Sequence, residues 1–114
     1  MTNQSPELDT VFHALADPTR RAVVQRLAGG AASVKELAAP FSMALPSFLQ
    51  HVRVLEDAGL ITTQKSGRTR TCEIAPRRLG EARTWLAEQV SVWEDRLDRF
   101  DAYVKDLAAR DETP

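Results

Sequence analysis

Seven apolar residues near the end of the chain recur at alternating intervals of four and three: Leu86, Val90, Trp93, Leu97, Phe100, Val104 and Leu107. This is a heptad seam, the spacing that keeps apolar side chains on one side of an α-helix. After Pro76 it predicts one long helix, from about Arg77 to Ala108, with Leu79 and Ala82 extending the seam and Trp85 widening it. A chain of 114 residues buries only about 60–70% of its unfolded surface, so its own core is modest. The seam holds more apolar surface than so small a helical core needs, and is read as partly intermolecular. The alternative is that it covers only the body of its own chain. The tail, Arg110 to Pro114, is expected to fray.

Hydrophobic residues make up 43% and charged residues 27%, which fits a single globular domain over 1–114 and not a disordered chain. No apolar run approaches the ~18 residues of a membrane span, so no membrane partner is expected. The first seven residues have neither a basic start nor an apolar core, so no signal peptide is expected. A single cysteine, Cys72, excludes an intrachain disulfide and fits a cytoplasmic protein. Two histidines, His13 and His51, with that one cysteine fall short of a conventional Cys/His zinc site. No serine, histidine and carboxylate form a recognisable catalytic motif, and there is no glycine-rich phosphate loop. Glu94, Asp95, Asp98 and Asp101 interleave with Arg96, Arg99 and Lys105, which reads as a solvated, self-compensating face. No catalytic residue, metal or cofactor is therefore expected.

The net charge of −1 hides an asymmetry. Residues 1–16 carry −2 from Glu7 and Asp9. Residues 17–71 carry eight Lys/Arg against four Asp/Glu, and residues 72–114 carry seven against ten. A basic middle between acidic ends suggests a surface for a polyanion, with chance clustering as the alternative.

Leu8, Val11, Phe12 and Leu15 have the spacing of one buried helical stripe, predicting a helix from about Glu7 to Ala16. Asp17 then caps a second helix that begins with Pro18, runs through Val23, Val24 and Leu27, and stops at Gly29-Gly30. Ser33 followed by Glu36 is a capping box that opens a short helix ending near Ala39. Residues 41–44 are a turn, and a fourth helix runs from about Pro46 to Ala58 and closes at Gly59. A short capped helix, a tight turn and a longer helix make a helix-turn-helix, here spanning 33–58. Residues 60–64 and 69–74 are β-branched and short, separated by Lys65-Ser66-Gly67-Arg68. They predict a β-hairpin over 60–74 that must pack on the helices.

In the fourth helix Phe48, Val52 and Leu55 form the buried stripe. The opposite face carries Pro46, Gln50, Arg53 and Asp57, with Ser47 and Leu49 at its edges. A DNA major groove admits one helix, whose N-terminal residues reach base edges. Gln50 suits adenine, Arg53 guanine or a phosphate, Leu49 a thymine methyl, and Ser47 either. The alternative is an ordinary amphipathic surface helix. His51 flanks the buried stripe and is expected to be packed or phosphate-facing, since no second metal ligand has suitable spacing. Cys72 shares strand parity with Ile74 and is expected to point inward and be inert. At the hairpin tip Lys65, Arg68 and Arg70 surround a glycine turn, an arrangement suited to phosphate or minor-groove contact, or simply solvated. The helix pair, basic tip and dimer seam together favour double-stranded DNA as the partner.

Three stretches carry a more specific likeness: Leu15-Ala16-Asp17-Pro18-Thr19-Arg20-Arg21, Ser33-Val34-Lys35-Glu36-Leu37-Ala38, and the run 45–60 that begins Leu45-Pro46-Ser47-Phe48 and ends Asp57-Ala58-Gly59-Leu60. With Gly67-Arg68 they resemble the ArsR family of bacterial transcriptional repressors over about residues 8–107. The resemblance implies a mainly α, winged helix-turn-helix fold with five helices and a two-stranded wing. It implies a homodimer held by the first and last helices, which adds Leu8 and Phe12 to the seam residues as interface candidates. It also implies binding to an imperfect palindromic operator through Pro46, Ser47, Leu49, Gln50 and Arg53 of the recognition helix and Lys65, Arg68 and Arg70 of the wing. Metal-sensing members carry a cysteine motif where this chain has Val34 to Ala39, and others carry last-helix histidines, whereas this chain has none after His51. The long last helix, with Trp85-Leu86 and Trp93-Glu94-Asp95-Arg96-Leu97-Asp98, resembles a branch without metal sites, often described as autorepressors. Two alternatives stay open: an effector-responsive sensor of a small molecule or metal at the dimer interface, and a protein-interaction dimer that no longer touches DNA.

Overall fold

Asp17 and Pro18 divide the first helical stretch in two. In the computed structural model, which describes residues 5–111, α1 spans Pro6–Leu15 and α2 spans Pro18–Leu27. Ser5 caps the first, its hydroxyl accepting from the Leu8 N–H. Asp17 caps the second, its carboxylate accepting from the Arg20 N–H at 3.1 Å. The buried residues of α1 are Val11 and Ala14. Leu8, Phe12 and Leu15, expected in the stripe, are partly buried at its margins.

The capping box at Ser33 is complete. Ser33 Oγ accepts from the Glu36 N–H at 3.1 Å, and the Glu36 carboxylate accepts from the Ser33 N–H at 3.0 Å. It opens α3, Val34–Ala38. After the turn, α4 spans Leu45–Asp57 and buries Phe48, Val52 and Leu55, as the spacing required. Its end is a Schellman motif: the Leu60 N–H bonds to the Leu55 carbonyl and the Gly59 N–H to that of Glu56. Gly59 has φ +77°, which an L side chain rarely adopts, and Leu60 is carried straight into the core beside Leu55.

The wing is one strand larger than the sequence predicts. β1 is Ala32–Ser33, β2 is Ile61–Ser66 and β3 is Thr69–Ile74, in the antiparallel order β1-β3-β2. β1 pairs Ala32 with Cys72 and Ser33 with Thr71. Two residues are too few to show a period, and Ser33 already has a helix-capping pattern, so only tertiary pairing reveals this strand. Gly67 (φ +62°) and Arg68 alone form the hairpin turn, the pattern of a type II′ turn with glycine first. The predicted four-residue turn is thus too wide. Lys65 lies within β2, directly opposite Arg70 of β3. Cys72 is fully buried, as its strand parity predicts, and burial pushes its thiol up from the ordinary value.

The final helix, α5, spans Pro76–Asp111, three residues past the predicted end. Arg110, predicted to fray, is helical and bonds Asp106 at 3.0 Å. Glu112 to Pro114 lie outside the described residues. The chain divides into two compact units at Ala82/Arg83, within α5. The first holds the core, built from α1–α4, the sheet and Ala82. In the second, every seam residue from Leu86 to Leu107 is exposed, between 41% and 64%. Arg96 lies over the Trp93 ring at 5.7 Å. Among the described residues no helix is long and apolar enough to cross a membrane.

Candidate nucleic-acid interface

The eight cations of the basic middle fall into two groups. Three of them hydrogen-bond to backbone carbonyls of their own chain. Arg20 donates to the Ala14 carbonyl from Nε at 2.7 Å, Arg21 to the Leu15 carbonyl at 2.8 Å, and Arg26 to the Gly30 carbonyl at 3.3 Å. Arg20 and Arg21 thereby satisfy carbonyls that the end of α1 leaves without partners. The other five, Lys35, Arg53, Lys65, Arg68 and Arg70, are exposed and form no ion pair among the described residues. Three of the four carboxylates in the same stretch are occupied locally: Asp17 and Glu36 cap helices, and Glu56 accepts from the Thr63 hydroxyl at 2.7 Å. The backbone N–H of Arg20 holds the Asp17 carboxyl below the usual range, and that of Ser33 does the same for Glu36. The result is a surface with positive charge to spare.

The recognition-helix candidates divide as the helical wheel predicts. Pro46, Gln50 and Arg53 are exposed on one face of α4, Ser47 is exposed at one edge, and Leu49 at the other is half-buried against the core. No side chain caps the start of α4, so its first-turn N–H groups remain open to an outside acceptor. The Glu56–Thr63 bond ties the far end of α4 to β2. The wing candidates are not all at the tip. Only Arg68 is in the turn. Lys65 and Arg70 are cross-strand partners, on the sheet face that buries Cys72. Two like charges in that relation repel, which favours an anion near them. Arg70 and Arg53 meet around one hollow of about 350 Å³, together with Leu49 and Glu56. The structure therefore brings Leu49, Arg53 and Arg70 together.

Two contacts have no counterpart in the sequence patterns. His51 is neither buried nor free: its Nδ1 lies 3.1 Å from Arg20 Nη1 and 3.7 Å from the Asp17 carboxylate. Lys35 faces a second hollow with Arg68 and Arg70. Its exposed position on α3, beside buried Val34, was the one available signal.

Residues 15–64 match the helix-turn-helix domain family. An HTH-type transcriptional regulator of Mycobacterium tuberculosis is 41% identical over 85 residues, covering 75% of this chain and 78% of that protein. A homodimeric winged helix-turn-helix DNA-binding domain from Mycobacterium bovis, solved by NMR, is 25% identical with a TM-score of 0.59, over 87% of this chain and 95% of that one. The crystal structure of an ArsR family transcriptional regulator is 53% identical with a TM-score of 0.77, over 82% of this chain and 97% of that one. Identity at that level over almost the whole of an ArsR protein, on a chain that independently builds the helix pair and wing, means that this protein belongs to the ArsR family of winged helix-turn-helix transcriptional regulators.

Proposed function

We propose that this regulator is a repressor that binds an imperfect palindromic operator in double-stranded DNA as a homodimer, its own promoter being one target. Residues 1–114 act as one functional domain, in which α1 and α5 dimerise, 33–58 form the helix-turn-helix and 60–74 the wing. Each α4 enters a major groove, with half-sites about one turn (~34 Å) apart. Gln50 and Arg53 read base edges, with Pro46, Ser47 and Leu49 beside them. Lys65, Arg68 and Arg70 hold phosphates, releasing counterions that supply most of the affinity. Transcription stops because polymerase is blocked, with no chemistry on the DNA. Leu8 and Phe12 of α1 and the seam of α5 join the two copies. The homodimeric state of the Mycobacterium bovis relative supports that assembly.

The observation that carries this reading is the set of five exposed cations, Lys35, Arg53, Lys65, Arg68 and Arg70, that form no ion pair among the described residues around α4 and the wing. Selection of bound duplexes from a random pool tests it. Enrichment of two symmetric half-sites one turn apart is the expected result. A pool with no enriched palindrome would instead favour a protein-interaction dimer.

A further inference from the structure

A DNA-reading surface that needed only phosphates and base edges would have little use for an apolar hollow, yet this one contains one. Between α3, the start of α4 and the wing lies a cavity of about 800 Å³, within the range of small-molecule sites. Ala38, Phe41, Leu45 and Leu49 supply its apolar wall, and Leu45 is 54% exposed although it begins the recognition helix. Phe41 is held in place by Phe48, with ring centroids 5.5 Å apart. The charged residues lining the hollow are Lys35, Arg68 and Arg70, with no carboxylate among its lining residues. None of the three is in an ion pair among the described residues. Apolar surface beside unneutralised cations suits an anionic head on an apolar body. Arginine forks pair bidentately with a carboxylate, and the apolar wall removes the body from water.

We infer that this hollow binds an organic carboxylate with an apolar tail or ring, and that such a ligand releases the protein from DNA. The second half rests on the operator reading above. A carboxylate seated on Arg68 and Arg70 neutralises charges that would hold phosphates, so ligand and duplex compete for the same residues. Every residue lining this hollow belongs to one chain.

Titration of the full-length protein with sodium decanoate, followed by amide NMR, tests the site directly. Decanol and inorganic phosphate serve as the tail without the charge and the charge without the tail. Decanoate is expected to shift the Ala38, Leu45 and Arg70 amides, with neither control matching it at equal concentration. Ala39→Trp, which fills the hollow from an exposed lining position, and Arg70→Gln should each weaken decanoate binding about tenfold, the loss of one charge-assisted contact or its equivalent. Circular dichroism checks that each variant folds, and either one alone decides the matter. No binding, shifts confined to 83–111, equal binding of phosphate, or undiminished binding by a folded variant would each overturn the site. Saturating decanoate should also release a selected duplex, and a duplex still held while decanoate is bound would overturn the regulatory half. Failure to select any duplex sinks the operator reading instead, and the titration still judges the site.

Discussion

The Arg20 guanidinium joins three elements: it bonds His51 of α4 at 3.1 Å while its Nε holds the last turn of α1 at the Ala14 carbonyl. A weaker bond at 3.4 Å reaches the His13 carbonyl. Arg20 itself sits in the first turn of α2, beside the Asp17 cap. Helix α4 is thereby referenced to the α1–α2 junction by a planar group whose donors point in fixed directions.

Arg20→Met should therefore loosen the whole first unit. The loss of charged hydrogen bonds is expected to cost about 2 kcal/mol and to lower the melting temperature by roughly 8 °C. Arg20→Lys should not rescue it, because a single ammonium cannot span the same acceptors. Thermal denaturation measures both, and a lysine variant as stable as the parent would show that the fork geometry is irrelevant.

Stability should fall in acid from a defined source. Asp17 and Glu36 both have carboxyls held below their ordinary values of 3.8 and 4.5, chiefly by backbone N–H groups at helix starts. A carboxylate with a lowered folded-state value stabilises the fold above its unfolded value and stops doing so as pH falls through the folded one. Denaturant midpoints should be level above about pH 5 and decline below it. Asp17→Asn keeps a capping oxygen but no titratable group, so its decline should be shallower. Asp17→Ala should cost about 1 kcal/mol at neutral pH. An Asn variant with the parent's acid profile would exclude Asp17 as a contributor.

Base reading and phosphate holding should separate by mutation. Gln50→Ala is expected to reorder the ranking of operator variants, by about 1–3 kcal/mol at the position it contacts. Arg68→Ala or Arg70→Ala should weaken all duplexes alike and reduce the salt slope by about one. Binding isotherms across salt concentrations and operator variants distinguish the two patterns. An unchanged slope in both arginine variants would remove the wing from the phosphate contacts.

The α5 seam should govern assembly. Leu97→Glu with Phe100→Glu places two charges among side chains that are 49% and 64% exposed in one chain. Sedimentation should show the doubly substituted protein as a monomer with operator affinity reduced by orders of magnitude. Circular dichroism should remain helical, since neither residue belongs to the core of the first unit. A monomer that grips the operator undiminished would refute the paired-helix arrangement.

Local patterns alone determined most of the secondary structure of this protein, because each signal acts within one turn of chain. Asp17-Pro18 and the Ser33–Glu36 pair set helix starts, Gly59 and Gly67 set reversals, and the 3.6-residue period set which side of α4 faces inward. The exposed candidates on α4 were legible for the same reason. Tertiary structure decided what depends on residues far apart in sequence: the β1 strand that Ala32 forms with Cys72, the bond from Arg20 to His51, the strand pairing that sets Lys65 against Arg70, and the hollow that Lys35 shares with the wing. None of these has a periodicity to read. Each exists only because packing the apolar stripes of separate elements brings particular polar groups within hydrogen-bonding or Coulombic reach.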